Sequence, residues 1–136
     1  MRDRRDAYGQ LVDQLVAYAD PTDAHPTRIA GKRYRYTLEI ALGGDTGDAE
    51  LVQLKKRQDH LGEWHDFVTL ESLVVGFCAD QDRVQHSTEA VSQALAYLSR
   101  VRSRRDDLLR QAIADLDNSL PDEDESDPEP IPDQGA

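Results

Sequence analysis

The sequence has little of what several protein classes require. It contains a single cysteine among 136 residues, which excludes a disulfide framework and a thiolate metal cluster. No apolar run approaches the about 18 residues of a membrane-spanning helix, and mean hydropathy is −0.69. No apolar stretch follows the charged N-terminus, so no signal peptide is predicted. These absences predict a soluble, cytoplasmic protein that does not contact a membrane.

Positive charge is also scarce overall. The chain has 16 Lys+Arg against 27 Asp+Glu, for a net charge of −11. Because nucleic acids bind basic surfaces, we do not expect a nucleic-acid partner. The charge is unevenly distributed, since residues 117–136 hold eight acids and no base, and residues 25–36 hold four bases and no acid. The acidity therefore belongs mostly to the C-terminal segment, and the body contains a dense basic segment.

Apolar residues recur at helical spacing along four segments, and no alternating strand pattern competes with them. The predicted helices cover roughly residues 1–19, 25–42, 49–79 and 87–117. Short connections between them predict an all-α fold, an antiparallel four-helix bundle formed by residues 1–117. Residues 118–136 are rich in Asp, Glu, Ser and Pro, which predicts a disordered acidic tail.

Two local expectations follow from these helices. The second helix is predicted to begin near Pro26, because proline favours the first helical position, and this places His25 at or near the cap. Free N–H groups at that helix end would then favour a bound anion. The segment 67–79 is apolar nearly all round, which predicts burial on several sides.

A charged stripe on the second predicted helix is the most informative pattern. Its members are three or four residues apart and therefore share one face. They are His25, Arg28, Lys32, Arg35 and Glu39. Beside this stripe lie three residues that are expected to anchor it to the core, namely Ile29, Tyr36 and Ile40. This arrangement predicts cations next to the core-facing side of the helix.

The third predicted helix also mixes polar residues with its apolar anchors. The polar members of that face include Lys55, Gln58, Gly62, His65 and Asp66. A glycine in mid-helix costs about 1 kcal/mol relative to alanine, which suggests that something approaches the backbone closely at Gly62. Because arginine binds phosphate oxygens bidentately and lysine adds a compact charge, the two faces together predict a concave polyanion site.

Other interpretations of the same residues stay open. A basic run on a helix is usually a solvated face, and the domain would then be a dimeric helical scaffold without a ligand. His25 and His65 with Asp66 or Glu39 would alternatively bind a divalent metal in a phosphate-handling domain. Cys78 lies away from both histidines, so no nucleophile–histidine pair is predicted. We therefore predict no catalytic residue and no cofactor.

Two motifs carry a resemblance to a known family. The first reads H-x-x-R-I-x-x-K-R-x-R-Y-x-x-E from His25 to Glu39, and the second reads L-x-x-x-Q-x-x-L-G-x-x-x-D from Leu54 to Asp66. Over about residues 20–80 the chain resembles the CHAD family, the conserved-histidine α-helical domain. The resemblance implies an all-helical fold that binds inorganic polyphosphate through a basic surface and is not an enzyme.

Carried over position by position, the resemblance implies a specific set of site residues. The implied polyphosphate contacts are His25, Arg28, Lys32, Arg33, Arg35, Lys55 and His65. The residues that would brace the site are Tyr36, Glu39, Gln58, Gly62 and Asp66. Arg102 and Arg105 fall on the apolar stripe of the fourth predicted helix and are additional candidates.

The length of the chain departs from the family pattern. Family members typically contain two similar helical halves that face a shared cavity, and this chain has the length of one, resembling the C-terminal half. A homodimer that rebuilds the cavity is therefore a predicted partner arrangement. For the acidic tail two hypotheses stay open: it competes for the basic site, or it only improves solubility.

Overall fold

The computed structural model describes residues 1–118, and in this part of the chain it is helical without a strand. The helices are α1 (Arg2–Tyr18), α2 (Pro21–Ala41), α3 (Ala49–Ala79), α4 (Gln81–His86) and α5 (Thr88–Asp117). None of the helices within residues 1–118 combines the length and the hydropathy that a membrane-spanning segment requires. The all-α prediction is confirmed. Apart from Asn118, the tail that was predicted to be disordered lies outside the described residues.

The four long helices pack as neighbours in antiparallel order. Tyr34 in α2 donates a hydrogen bond to Glu50 near the start of α3, at 2.6 Å. Further along α3, the Gln58 amide donates to the backbone carbonyl of Arg28, which precedes Tyr34 in α2, at 3.4 Å. α1 packs on α2 and α5, and α5 packs on α3. The result is the predicted antiparallel four-helix bundle.

All four long helices contribute side chains to one apolar core. Its buried members are Tyr8, Val12, Leu15, Ala24, Tyr34, Leu54, Leu61, Trp64, Leu108, Leu109, Ala112 and Leu116. Gly31 sits where three helices meet, since a Cβ atom there would lie 2.9 Å from the Tyr8 ring and 3.2 Å from the Gln58 amide. The missing side chain therefore lets α1 and α3 approach the backbone of α2.

The start of α2 differs from the prediction. The helix begins at Pro21, and the Asp20 carboxylate caps it by accepting a hydrogen bond from the backbone N–H of Thr22 at 2.9 Å. Both Pro21 and Pro26 suit a first helical position, and the capping Asp20 decides for the earlier one. Because His25 lies inside α2, the predicted free N–H groups beside it are absent, and that contribution to an anion site is wrong.

α3 and α5 are longer than α1 and α2 and extend past them as an arm, which we define as residues 69–105. The prediction that the segment 67–79 is buried on several sides is wrong, because α1 and α2 end before they reach it. Leu73 is 66% exposed and Val75 is 41% exposed. On the α5 side of the arm, Leu95 is 52% exposed. The arm therefore presents apolar surface that α1 and α2 do not cover.

The short helix α4 connects α3 to α5 at the end of the arm and was not predicted. The Asp80 carboxylate caps it, accepting hydrogen bonds from the backbone N–H groups of Asp82 at 3.1 Å and Arg83 at 3.3 Å. All residues of α4 are exposed. Because α4 has six residues and no buried face, its sequence shows no apolar periodicity. The capping residue Asp80 is the sequence feature that indicates where it starts.

Candidate functional site

A cleft of about 450 Å³ lies between α2 and α3, and we refer to it as the α2–α3 cleft. From α2 it is lined by Arg28, Lys32, Arg35 and Tyr36, and from α3 by Gln58, Asp59, Gly62, Glu63 and Asp66. One wall is therefore basic and the other is mainly acidic. The structure brings together residues of both sequence motifs, as the shared helix faces predicted.

The rotation of α2 in the bundle places its cations beside the core. Tyr34 and Leu38 are buried and define the core face of this helix. Tyr36 is 46% exposed and Ile40 is 82% exposed, so the prediction that these two residues anchor the stripe to the core is wrong, whereas Ile29 is half-buried. The anchoring residues lie on the other flank of the stripe, which turns the cations toward α3.

The cations of the basic wall differ in their partners. Arg28 and Lys32 form no ion pair with any residue in the described part of the chain. The Arg35 Nε atom lies 3.8 Å from a Glu39 carboxylate oxygen, and the Lys55 Nζ atom lies 3.6 Å from the same oxygen. Partly exposed pairs of this kind contribute about 0–1 kcal/mol. Glu39 therefore positions two cations without binding them tightly.

Tyr36 supports the basic wall from its outer side. Its ring centroid lies 4.8 Å from the Arg35 guanidinium carbon and 5.9 Å from the Lys32 ammonium nitrogen. Both distances suit cation–π contacts, which restrict where the two charged groups lie. Tyr36, which the resemblance implied as a bracing residue, thus lies beside two cations of the cleft.

Gln58 and Gly62 form the part of the cleft closest to the α3 backbone. Gln58 ties α3 to α2 through its hydrogen bond to the Arg28 carbonyl. A Cβ atom at Gly62 would meet no protein atom within 4 Å. Packing between helices therefore does not require this glycine. Gly62 lines the cleft, so the α3 backbone is accessible from the cleft at this point.

The two motif histidines contact each other next to the cleft. The rings of His25 and His65 stack with centroids 5.4 Å apart and planes 28° apart. The Trp64 ring lies edge-on to His65 at 6.4 Å. Neither histidine lines the α2–α3 cleft, but His25 is one helical turn from Arg28, and His65 is one turn from Gly62. The pair therefore lies beside the cleft.

Four further predicted contacts do not line the cleft, and one of them, Lys55, pairs with Glu39. Arg33 is exposed and does not line the cleft. Arg102 donates a hydrogen bond to Glu71 at 2.6 Å, and Arg105 pairs with the other oxygen of the same carboxylate. The hydrogen bond from Arg102 is the main reason that the pKa of Glu71 lies below its ordinary value. Arg102 and Arg105 are therefore engaged within the arm.

The structure also adds residues that the sequence did not single out. Asp59 and Glu63 join Asp66 on the α3 wall of the cleft. The Arg104 guanidinium on α5 lies 3.5 Å from the Glu63 carboxylate. The helical spacing of Asp59, Glu63 and Asp66 predicts that these three acids share one face of α3. Which helix they face depends on the rotation of α3 within the bundle, which the spacing does not determine.

The metal hypothesis finds no ligand set among residues 1–118. No three histidine, cysteine, aspartate or glutamate side chains converge there in a way that holds a metal ion. His25 and His65 stack on each other, and no group containing them with Asp66 or Glu39 meets that condition.

Comparison with known proteins agrees with the motifs. The profile of the CHAD domain family matches residues 2–75, which include α1, α2 and most of α3. Both walls of the α2–α3 cleft lie within this match, and it adds α1 to the region of resemblance. No curated protein and no solved structure matches the chain. Because the family profile covers more than half of the sequence, this chain belongs to the CHAD domain family.

Proposed function

We propose that this protein binds inorganic polyphosphate, without catalysing a reaction, along the basic α2 wall of the α2–α3 cleft. CHAD domains in general are associated with polyphosphate binding. The observation that carries the proposal is the pair Arg28 and Lys32, which line the cleft and form no ion pair within residues 1–118. A polyanion would therefore bind them without first displacing a protein carboxylate.

The arrangement of the cations suits a linear polyanion. From Arg28 to Arg35 the stripe extends about 10 Å along the axis of α2, at about 1.5 Å per residue. A chain of linked phosphates can follow such a row, whereas a single phosphate contacts one or two of its members. His25, His65 and Arg33 would extend the contact surface beyond the cleft, and Lys55 would join when Glu39 releases it.

The acidic wall restricts where the polyanion lies. Asp59, Glu63 and Asp66 repel phosphate oxygens, and they face the cleft from α3. A bound polyphosphate would therefore stay on the α2 side, close to Gly62 and away from the carboxylates. In this arrangement the acidic wall lowers affinity and fixes the position of the ligand.

Retardation of a polyphosphate ladder in a gel tests the proposal with a matched pair of double variants. Arg28→Ala with Lys32→Ala removes two cleft cations. Arg4→Ala with Lys56→Ala removes the same charge from exposed positions outside the cleft. We expect the cleft variant to lose about 10-fold or more in affinity and the control to lose about 2-fold or less. No retardation by the folded wild-type protein at low salt, or equal losses in both variants, would contradict the proposal.

A second candidate function rests on the exposed apolar surface of the arm. Leu73 on α3 and Leu95 on α5 are 66% and 52% exposed, and neither is covered by α1 or α2. A homodimer would cover this surface and serve as a scaffold, or would bring two α2–α3 clefts to one cavity. Molecular mass in solution, measured with and without polyphosphate, distinguishes these cases. A dimer that ignores polyphosphate favours the scaffold, and a monomer excludes both arrangements.

A further inference from the structure

The face of α3 and α5 that packs in the core continues onto the arm. Trp64 of α3 and Leu109 of α5 are buried in the core. Seven residues from each of them, in the direction of the arm, lie Glu71 and Arg102, which form an ion pair. Because residues seven apart share a helix face, this ion pair marks the side of the arm onto which the core face continues.

α1 and α2 do not cover the continued face. His25 of α2 stacks on His65 of α3, and α2 begins four residues earlier, at Pro21. Since α2 is antiparallel to α3, its start lies near the level of residue 69. Beyond that level each helix of the arm contributes three exposed residues at equal spacing, and we refer to the six as the shelf. They are Ser72, Val75 and Ala79 of α3 and Ser92, Leu95 and Ser99 of α5.

The shelf has the composition of a protein interface. Charged residues make up 32% of the chain, and the six shelf residues include none. Val75 and Leu95 lie at its centre, each between two small residues on its own helix. Depletion of charge around exposed apolar residues distinguishes the core of an interface from ordinary protein surface. The shelf is therefore suited to a second layer of helices, which would cover it as α1 and α2 cover the core.

The two ends of the arm carry opposite charge. The tip, residues 79–92, has three acids and one base, for a net charge of −2, from Asp80, Asp82, Glu89 and Arg83. The base of the arm, residues 69–78 and 93–105, has one acid and four bases, for a net charge of +3, from Glu71, Arg100, Arg102, Arg104 and Arg105. A second arm lying antiparallel places its acidic tip beside this basic base, and a parallel arm places like charges together. Charge complementarity therefore favours a second copy of the chain and determines its direction.

We propose that two copies of this chain form a dimer in which the shelves pack face to face and the arms are antiparallel. A two-fold axis through the middle of the shelf places Leu95 opposite Ser99 of the second copy, so large and small side chains interdigitate. The same axis places the tip of one copy near the end of α1 in the other. Val84 in the tip and Tyr18 at the end of α1 are both exposed, and each would gain an apolar neighbour.

This arrangement determines how the two clefts are related. Gly62 lies about 20 Å along α3 from the middle of the shelf, at about 1.5 Å per residue. The α2–α3 clefts of the two copies are then about 40 Å apart along the arms. The proposed dimer therefore joins two separate clefts and does not bring them to one cavity.

Two leucines on the arm provide a matched test of the interface. Leu73 is two residues from Val75, about 200° around α3, and lies on the opposite side of the arm from the shelf. Leu95→Asp and Leu73→Asp introduce the same change at exposed positions of the same arm. Ser99→Arg is a second shelf variant, and circular dichroism verifies that each variant folds. Sedimentation of the full chain over a concentration series, without polyphosphate, measures the dissociation constant.

We expect the wild type to approach twice the mass of the 15.3 kDa chain as its concentration rises. Leu95→Asp and Ser99→Arg should each weaken the dimer by about 10-fold or more, and Leu73→Asp should leave it unchanged. A monomeric wild type would overturn the proposal and leave the shelf to a different partner. Equal weakening by Leu95→Asp and Leu73→Asp would also overturn it.

A distance between the two tips tests the direction of the arms. Spin labels at Gln85→Cys, in a chain carrying Cys78→Ser, should lie about 25 Å or more apart in the antiparallel dimer. Tips in direct contact would overturn the antiparallel arrangement. Polyphosphate is absent from both experiments, so failure of the dimer leaves the proposed function unaffected.

Discussion

Two pairs of cations on long helices have similar sequence patterns and different surroundings. Arg28 and Lys32 are four residues apart on α2, and Arg102 and Arg105 are three residues apart on α5. The first pair lines a cleft and forms no ion pair among residues 1–118, whereas the second pair shares the Glu71 carboxylate. The same helical spacing therefore leaves one pair without an ion pair among residues 1–118 and gives the other a shared carboxylate, depending on the side chains that the neighbouring helix supplies.

The largest expected effect is a difference in polyphosphate binding between variants of these two pairs. Arg28→Ala with Lys32→Ala should weaken polyphosphate binding by about 10- to 100-fold, since each lost charged hydrogen bond contributes about 1 kcal/mol or more. Arg102→Ala with Arg105→Ala should change binding by about 2-fold or less and reduce the free energy of unfolding by about 1 kcal/mol. Fluorescence titration and urea denaturation measure the two effects. Equal binding losses in both double variants would remove the distinction.

The acidic wall of the cleft provides a prediction of opposite sign. Replacing Asp59, Glu63 and Asp66 by their amides should strengthen polyphosphate binding by about 3- to 10-fold, because three repulsive charges leave the cleft. The same titration measures this change. Weaker binding in the amide variant would mean that the carboxylates contact the ligand through a bridging cation.

The histidine stack should contribute to polyphosphate binding. His25 and His65 lie one helical turn from Arg28 and Gly62, and imidazole N–H groups donate hydrogen bonds to phosphate oxygens. His25→Gln with His65→Gln should therefore weaken polyphosphate binding by about 2- to 5-fold. His60→Gln, which alters the pair with Asp115, should leave binding unchanged. A loss of binding in the His60 variant alone would contradict the assignment.

The pairing of Arg102 and Arg105 with Glu71 should make the free energy of unfolding depend on pH. The pKa of Glu71 is lowered from its ordinary value of 4.5, chiefly by the hydrogen bond from Arg102. Its contribution to stability is therefore complete above about pH 4.5 and is lost as pH falls through the lower pKa of the folded state. Glu71→Gln should be less stable than the wild type at pH 6, by about 1 kcal/mol or less, and equally stable at the acid end. A difference that persists unchanged at low pH would contradict this account.

The smallest expected effect concerns Gly62. Because nothing in the protein lies within 4 Å of an added Cβ, Gly62→Ala should raise the free energy of unfolding by up to about 1 kcal/mol. The same methyl group enters the space beside the basic wall and should weaken polyphosphate binding by about 2-fold. Thermal denaturation and titration of one variant measure both effects. A more stable protein with stronger binding would show that the ligand does not approach this backbone.

Much of the fold follows from the sequence, because long helices with apolar stripes and capping residues are determined locally. Two of the predictions that failed concern the start of α2 and the burial of Leu73. Pro21 and Pro26 both suit a first helical position, and the prediction placed the start of the helix at Pro26. The helix instead begins at Pro21, because Asp20 caps it there. Leu73 was expected in the core because its segment is apolar, and the lengths of α1 and α2 left it exposed.

The site was predictable as far as helix faces allow. Spacing alone placed Arg28, Lys32 and Arg35 together, and the structure brings them to one cleft. The acidic wall and the pairing of Arg102 with Glu71 were not predictable, because they depend on how α3 is rotated toward its neighbours. Apolar periodicity locates the core face of a helix only to within a broad stripe. It therefore does not determine which neighbouring helix a charged residue at the edge of that stripe faces.

The salt dependence of polyphosphate binding tests the central claim most directly. The slope of log K against log salt concentration reports how many phosphates the protein neutralises. For the wild type and for the control Arg4→Ala with Lys56→Ala, we expect equal, steep slopes. Arg28→Ala with Lys32→Ala should reduce the slope by about 1 to 2 units, since two contacts are removed. A slope that is the same in all three proteins would show that Arg28 and Lys32 do not contact the polyanion.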